Sequence, residues 1–429
     1  MAEQQRPRGF PMSHSASLPA DRPERTTWLI LVAISLCHML NDVMQSLLAA
    51  IYPLLKSEFS LQFWQIGFLT FAFQGTASLL QPAVGAITDR RPMPMSLPLG
   101  MASSLLGLVA LATAPGYAML VTGAMLIGIG SAIFHPEASR VARMASGGRY
   151  GTAQSFFQVG GNAGTALGPL LAAFIVVPQG RGSILWFTAL AALGIVILSR
   201  VGAWYAAYMR ASAGRRKAMR PHGLSRARVR QAIVILALLT FSKNIYTASI
   251  TSYYTFFLIE KFGLTQQQSQ IMLFLFLAAM AVGVILGGPL GDRFRPLTVI
   301  WISILGVLPF TLALPYAGLA ATGVLTVIIG VILASAFPAI VVFAQELVPG
   351  RVGLIAGIFF GFAFGMGGIA AAVLGVIADH QGVEFVYRLC AWMPLMGVLT
   401  IFLPREAAMV AVPEAEARAT LTTGDQPEI

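Results

Sequence analysis

Apolar residues gather into twelve stretches, near 28–55, 63–88, 95–114, 117–142, 152–177, 183–207, 231–259, 267–290, 297–314, 318–345, 352–378 and 385–404, bounded by Gly, Pro or clustered charge. Each reaches about 18 residues or more, enough to predict a membrane-spanning helix. Several connections are so short that neighbouring helices must run antiparallel. Polar positions inside the stretches are few and therefore informative. The first stretch holds His38-Met39-Leu40-Asn41-Asp42-Val43-Met44-Gln45, in which His38, Asp42 and Gln45 fall at i, i+4, i+7 on one helix face with Asn41 beside them. An Asp near the bilayer midplane costs about 2.5–3.5 kcal/mol on insertion scales, so this face must look inward. It lines either a cavity or proton path, or a packed contact in which His38 and Asp42 satisfy each other.

Charge sets the topology. Arg90, Arg91, Arg140, Arg143, Arg149, the block from Arg200 through Arg210, Arg215, Arg216, Lys217, Arg220, Arg226, Arg228 and Arg230, then Arg293, Arg295 and Arg351 fall on one side. The other side has Lys56, Arg181, Lys261 and Arg388. The positive-inside rule then expects both termini in the cytoplasm. The divisions that follow are a disordered cytoplasmic tail over 1–27, a six-helix bundle over 28–207, a basic cytoplasmic loop over 208–230, a second bundle over 231–404 and a tail over 405–429. The first tail has no apolar core with a cleavage site, so the first helix is expected to be retained.

Composition narrows the class. At 57% hydrophobic and 10% charged residues the chain is far from the roughly 25% charge of soluble domains, and it reads as an all-α polytopic membrane protein. The net charge of +11 reports topology, not nucleic-acid binding. Cys37 and Cys390 give neither a disulfide framework nor zinc spacing. An intramembrane enzyme is disfavoured by the lack of Gly-x-Ser-x-Gly and His-Glu-x-x-His.

An internal repeat decides the architecture. Phe59-Ser60-Leu61 recurs as Phe262-Gly263-Leu264, Gly85-x-x-x-Asp89-Arg90 as Gly288-x-x-x-Asp292-Arg293, Asn41 as Asn244, and Arg149-x-Gly151 as Arg351-x-Gly353, always 202 or 203 residues on. Two six-helix halves in the same orientation, with a long loop between, resemble a major facilitator transporter, whose substrate lies near the midplane between the halves. Gly85-Ala-Ile-Thr-Asp89-Arg90-Arg91 resembles that superfamily's signature loop, and Gly288-Pro-Leu-Gly-Asp292-Arg293-Phe-Arg295 its second copy. The glycine permits close helix approach, and the Asp can cap a helix N-terminus and pair with an Arg, shutting the cytoplasmic side. In the fifth helix Ser155, Gly164, Gly168-Pro169 and Ala172-Ala173 are similar to the antiporter motif of drug-exporting facilitators, with Ser for its first Gly and Ala-Ala for its closing Gly-Gly. The fourth helix ends Ser131-Ala-Ile-Phe134-His135-Pro136-Glu137-Ala-Ser139-Arg140, where Pro136 marks a bend or hinge. With His38-x-x-Asn41-Asp42-x-x-Gln45-Ser46 and Ala153-Gln154-Ser155-Phe-Phe-Gln158-Val-Gly160-Gly161-Asn162, the chain resembles the fosmidomycin-resistance branch over about 28–404. That resemblance implies an inner-membrane, proton-driven exporter of a phosphonate antibiotic.

The residues fit such chemistry. A dianion needs a cation, and Lys243, in the seventh helix beside Asn244, is that candidate, unless it instead pairs with Asp42 or another acid across the halves. Gln154, Gln158 and Asn162 form a polar stripe that either binds ligand or hydrogen-bonds helices together. Asn41, Gln45 and Tyr253 complete the expected substrate contacts. Tyr254, Phe256, Phe257, Phe359 and Phe360 are cavity walls or ordinary packing. Asp42 leads as proton site with His38 tuning it, and Glu137 with His135 is the second pair. Gating is expected from Gly85, Asp89, Arg90, Gly288, Asp292, Arg293, Arg140, Pro136, Gly164, Gly168 and Pro169. Arg140 and Arg143 either attract anions or anchor the cytoplasmic face. Expected partners are a small anionic substrate, protons and lipid, with a monomer and no cofactor. Two rivals keep the fold: an organic-phosphate or sugar transporter, and a divalent-metal transporter should His38, Asp42, His135 and Glu137 converge.

Overall fold

Twelve membrane-length segments follow one another in the computed structural model, which describes residues 26–212 and 224–405 and contains no strand among them. The first half comprises α1 (Trp28–Ala50), α2 (Phe63–Arg90), α3 (Ser96–Thr113), α4 (Tyr117–Ala145), α5 (Tyr150–Leu171) and α6 (Phe187–Ser212). The second comprises α7 (Arg226–Phe262), α8 (Gln266–Phe294), α9 (Pro296–Tyr316), α10 (Leu319–Leu347), α11 (Val352–Gln381) and α12 (Val383–Phe402). The expected N-terminal tail up to residue 25, the C-terminal tail from 406, and Arg215, Arg216, Lys217 and Arg220 of the central loop lie outside the described residues.

Several boundaries differ from the apolar pattern, each for a local reason. The first stretch is two helices: α1 stops at Ala50, and Pro53 opens a separate short helix, Tyr52–Glu58, where a missing N–H does no harm. Arg226, Arg228 and Arg230 belong to the first turns of α7, whose N-cap Ser225 accepts from the Arg228 N–H at 3.3 Å. The α10 segment is interrupted at Ser335, between Leu319–Ala334 and Ala336–Leu347. The α12 segment turns from α-helix to a 3-10 helix over Met393–Phe402. In α5 the helix loosens into a π turn at Ala172–Val176, just after Pro169, which offers no N–H to the preceding turn. The Pro169 side chain itself is outside the described ones.

Ten spans among the described residues are long and apolar enough to cross a bilayer on composition alone; α2 and α5 are not among them. These two carry Gln65, Gln74 and Gln81, and Gln154, Gln158 and Asn162. They are also the helices that join the halves, α2 against α11 and α5 against α8, so their polarity is sheltered from lipid.

The halves are fused at the end that carries the arginines. One apolar core runs through the first half and across this seam, taking in Phe337, Ile340, Phe359 and Phe360; a second, around Tyr254, Phe257 and Tyr387, belongs to the second half alone. At the seam a methyl group on Gly85 would fall on the Gly353 carbonyl oxygen, so only glycine lets α2 and α11 meet there. Contact loosens along the helices, and a methyl group on Gly365 would meet nothing nearer than Ser78 Oγ at 3.8 Å.

Two aspartates clasp this end. Asp89 accepts from the N–H groups of Gly353 (3.0 Å) and Leu354 (2.8 Å) at the N-terminus of α11. Asp292 accepts from Gly151 and Thr152 N–H at 2.8 Å each, and from the Thr152 hydroxyl at 2.5 Å, at the N-terminus of α5. A carboxylate at a helix N-terminus satisfies orphan donors and meets the positive end of the helix dipole. Arg90 and Arg293, expected to share in this, are instead exposed, with Arg293 lying on the Phe294 ring. The arginine that pairs with Asp89 is Arg140, which also meets Glu137 at 3.1 Å and the Thr88 carbonyl at 2.6 Å.

Candidate functional site

Midway along α1, four polar side chains form one cluster with α4. Asp42 Oδ1 accepts from Gln45 Nε2 at 2.8 Å and Asn41 Nδ2 at 3.1 Å, and Gln45 Oε1 accepts from Ser131 Oγ at 2.9 Å. His38 stands 3.5 Å and His135 3.6 Å from the Asp42 carboxylate, and the two Nε2 atoms are 3.3 Å apart. His38 Nδ1 lies 2.8 Å from the Phe157 carbonyl and His135 Nδ1 2.9 Å from the Ser131 carbonyl. A carbonyl oxygen only accepts, so each Nδ1 carries a hydrogen and each neutral ring turns a lone pair inward at Nε2. Two lone pairs face each other and the two oxygens of one carboxylate, an arrangement that a proton relieves. His38, Asp42 and His135 are at most 6% exposed.

The spacing explains the cluster. His38 and Asp42 share the α1 face that meets α5, where Gly160, Gly164 and Gly168 repeat every fourth residue and let the helices approach. Gly164 and Gly168 therefore serve packing within the first half, against Met39 and Ser46, and not the seam between halves. His135 and Glu137 do not form the expected pair. Residues two apart lie about 200° round a helix, and Glu137 points away to Arg140 and to Ser96 Oγ at 3.3 Å. Pro136, between them, is buried within a continuous α4.

Lys243, 8% exposed on α7, does not reach Asp42. Among the described residues no acid or hydrogen-bond acceptor engages its ammonium, which lies 5.5 Å from the Phe337 ring. Between it and the acidic cluster stand two rings in series: Phe337 to Phe360 at 5.1 Å, and Phe360 to His135 at 5.2 Å. Sequence reasoning named Phe360 only as a wall and missed Phe337. The result is an acidic pole in one half and a cationic pole in the other, with an aromatic partition between them.

Among the described residues some buried amide atoms are left without partners. Gln158 Oε1, Gln154 Nε2 and Asn244 Nδ2 are buried atoms without a hydrogen-bond partner among the described residues. Such atoms cost free energy unless a ligand or water meets them. The expected stripe is divided: Gln154 Oε1 accepts from Ser139 Oγ at 2.9 Å, and Ser139 also receives Gln345 Nε2 at 3.2 Å, near the clasped end. Asn162 is half-buried. Tyr253, also half-buried, is about 15 Å along α7 from Lys243. Its hydroxyl stands beside Gly375 of α11, away from the central cluster. Arg143 is held by Gln345 at 3.2 Å and by the Tyr150 ring at 3.8 Å, so it is a fixed part of the clasped end. Gln345 lies 202 residues after Arg143, and the repeat offset was the signal that would have found it.

Comparison with known proteins gives a consistent result. Residues 34–372 and, in an overlapping second match, 235–424 fit the model of the Major Facilitator Superfamily. The chain is 60% identical over 380 residues to the fosmidomycin resistance protein of Escherichia coli (strain K12), covering 89% of this chain and 94% of that one. It is 42% identical over 389 residues to the uncharacterized MFS-type transporter YfnC of Bacillus subtilis (strain 168), covering 90% and 95%. Among solved structures, the major facilitator transporter FucP in its outward conformation aligns with a TM-score of 0.66 at 16% identity, over 87% of this chain and 98% of that one. The human organic anion transporter MFSD10 aligns with a TM-score of 0.68 at 17% identity, over 88% and 99%. At such identities the two structures speak for the fold alone.

Proposed function

The chain belongs to the major facilitator superfamily, in its fosmidomycin-resistance branch, and on that premise we propose that it is a proton-coupled antiporter exporting a small phosphonate-like anion across a bacterial inner membrane. The observation that carries the reading is the pair of buried poles. Lys243, beside Asn244 whose Nδ2 has no hydrogen-bond partner among the described residues, is a cation that no acid or acceptor among them engages, suited to a phosphonate's charge. The His38–Asp42–His135 cluster, two ring nitrogens against one carboxylate, is suited to taking up a proton. The arginine-rich end is read as cytoplasmic, so the clasped state is the outward-facing one, with both termini on the sealed side.

In this mechanism a proton enters the cluster from outside. The anion reaches Lys243 from inside once the Asp89 and Asp292 clasps have opened. Phe360 and Phe337 keep the two charges from neutralising each other directly, so each pole is satisfied by its own ligand. Exchange then follows if the halves change over only with one pole filled, by the proton on the inward passage or by the anion on the outward one.

Proteoliposomes loaded with a pH-sensitive dye test the reading. A phosphonate gradient should drive proton movement in the opposite sense, and Asp42→Asn should abolish that movement while substrate binding survives. Equal proton flux in the variant removes Asp42 from coupling. An equal response to a neutral sugar or a lipophilic cation overturns the assignment of an anionic substrate.

A further inference from the structure

We propose that His38, Asp42 and His135 bind one divalent transition-metal ion of zinc-like preference, a property that stands apart from the identity of the exported substrate. His38 Nε2 and His135 Nε2 stand 3.3 Å apart, and each lies within 3.6 Å of one oxygen of the Asp42 carboxylate, Oδ2 for His38 and Oδ1 for His135. One donor atom from each residue can be taken so that all three lie within 4.8 Å of one another. Small side-chain rotations then bring three such donors onto a single ion with bonds of about 2.0–2.1 Å.

The surrounding residues are those of a coordination site. Both imidazoles have their outer nitrogen fixed on a backbone carbonyl, Phe157 for His38 and Ser131 for His135, which holds the inner nitrogen as a lone-pair donor. Asn41 and Gln45 hold the carboxylate. His38 stacks on Phe157 at 4.0 Å, and Phe360 covers His135 at 5.2 Å, giving the apolar jacket that strengthens coordination. At Gly161 the α5 backbone comes close to the donors: a methyl group there would lie 2.5 Å from His38 Nε2 and 2.9 Å from Asp42 Oδ2, so any side chain at this position would crowd the ligand atoms. Two nitrogens and one oxygen favour zinc or cobalt over magnesium or calcium, which take oxygen donors in larger number. Glu137, engaged with Arg140, takes no part.

Metal and proton would occupy the same lone pairs, so the ion acts as a plug for proton coupling, or as a cation carried in its place. The test uses tag-free, full-length protein in detergent, with neither substrate nor proton gradient, so its outcome is independent of the export reading. Titration calorimetry with Zn²⁺ should give one site per chain. Co²⁺ should give the intense visible absorption of a four-coordinate centre. His38→Gln, His135→Gln and Asp42→Asn should each remove both signals, whereas His380→Gln, at an exposed imidazole on α11, should leave them unchanged. Gly161→Ala should weaken binding about tenfold or more, by crowding the ligands. Size-exclusion profiles identify any variant that misfolds, and the remaining variants then decide. Absence of stoichiometric Zn²⁺ binding, or retention of the Co²⁺ spectrum in folded His38→Gln and His135→Gln, overturns the proposal.

Discussion

Lys243 and Asp42 are two solutions to one problem, an ionisable group at hydrocarbon depth. Asp42 is surrounded by Asn41, Gln45 and two imidazoles, whereas Lys243 has an aromatic face and no acid or acceptor among the described residues. Lys243→Ala should lower affinity for a phosphonate by about 10- to 100-fold, the worth of a charge-assisted hydrogen bond, with expression retained. Substrate-induced thermal stabilisation measures it, and an undiminished shift in the variant would remove Lys243 from the binding site. At this scale the sequence was legible wherever polarity was out of place: His38, Asn41, Asp42, Gln45 and Lys243 each announce themselves in an apolar run. Direction was less legible. The pairing of His135 with Glu137 failed on helical geometry that was available beforehand, because positions two apart face opposite ways. The same geometry, applied to Glu137 and Arg140 three apart, gives the ion pair that does form. Nothing in the spacing said that Phe337 and Phe360 would stand between the poles, since that depends on how two separate bundles meet.

At the scale of elements, α4 carries the charge network of the clasped end. Arg140 is buried and bridges Asp89, Glu137, the Thr88 carbonyl and the Tyr205 hydroxyl, the last at 3.3 Å. Removing one partner of a buried network leaves an uncompensated charge, at about 3–5 kcal/mol. Arg140→Ala should therefore lower the melting temperature in detergent, and adding Glu137→Gln should recover much of the loss. If the double variant melts no higher than Arg140→Ala alone, the network is not the source of the effect. Element boundaries were the least legible feature. The breaks at Ile51, Ser335 and Ala172 fall inside continuous apolar runs, and hydropathy averages over them. Proline signals two of them only in hindsight, because Pro82 and Pro136 sit within helices that continue unbroken. Conversely α2 and α5 are too polar for lipid-facing spans for a reason that sequence does state, their glutamines, once one knows that both face the second half.

For the whole molecule, the repeat was the most legible signal, because an offset of 202 or 203 residues survives any uncertainty about boundaries. It anticipates both clasps: Asp89 on α11 and Asp292 on α5 exchange roles between halves. Alternating access requires the α2–α11 seam to part. Cβ of Ser78 lies 3.9 Å from the position a Gly365 side chain would begin, within the 3.5–4.5 Å span of a disulfide. Ser78→Cys with Gly365→Cys should cross-link on oxidation, arrest transport in proteoliposomes and release it on reduction. Unimpaired transport by the oxidised, cross-linked protein would mean that this seam does not move. The two clasps are not equal, however. Arg140 and Glu137 back Asp89 in a dry setting, while the counterpart of Arg140, 202 residues on, is Val342, and Asp292 is exposed. On the proposed mechanism opening should be lopsided: the α5–α8 edge, where water and salt reach the carboxylate, should unlatch first, with the α2–α11 edge as the hinge until last. Asp292→Asn should accordingly speed inward opening, read as spin-label distances across that edge, and Asp89→Asn should instead remove the order of the two events.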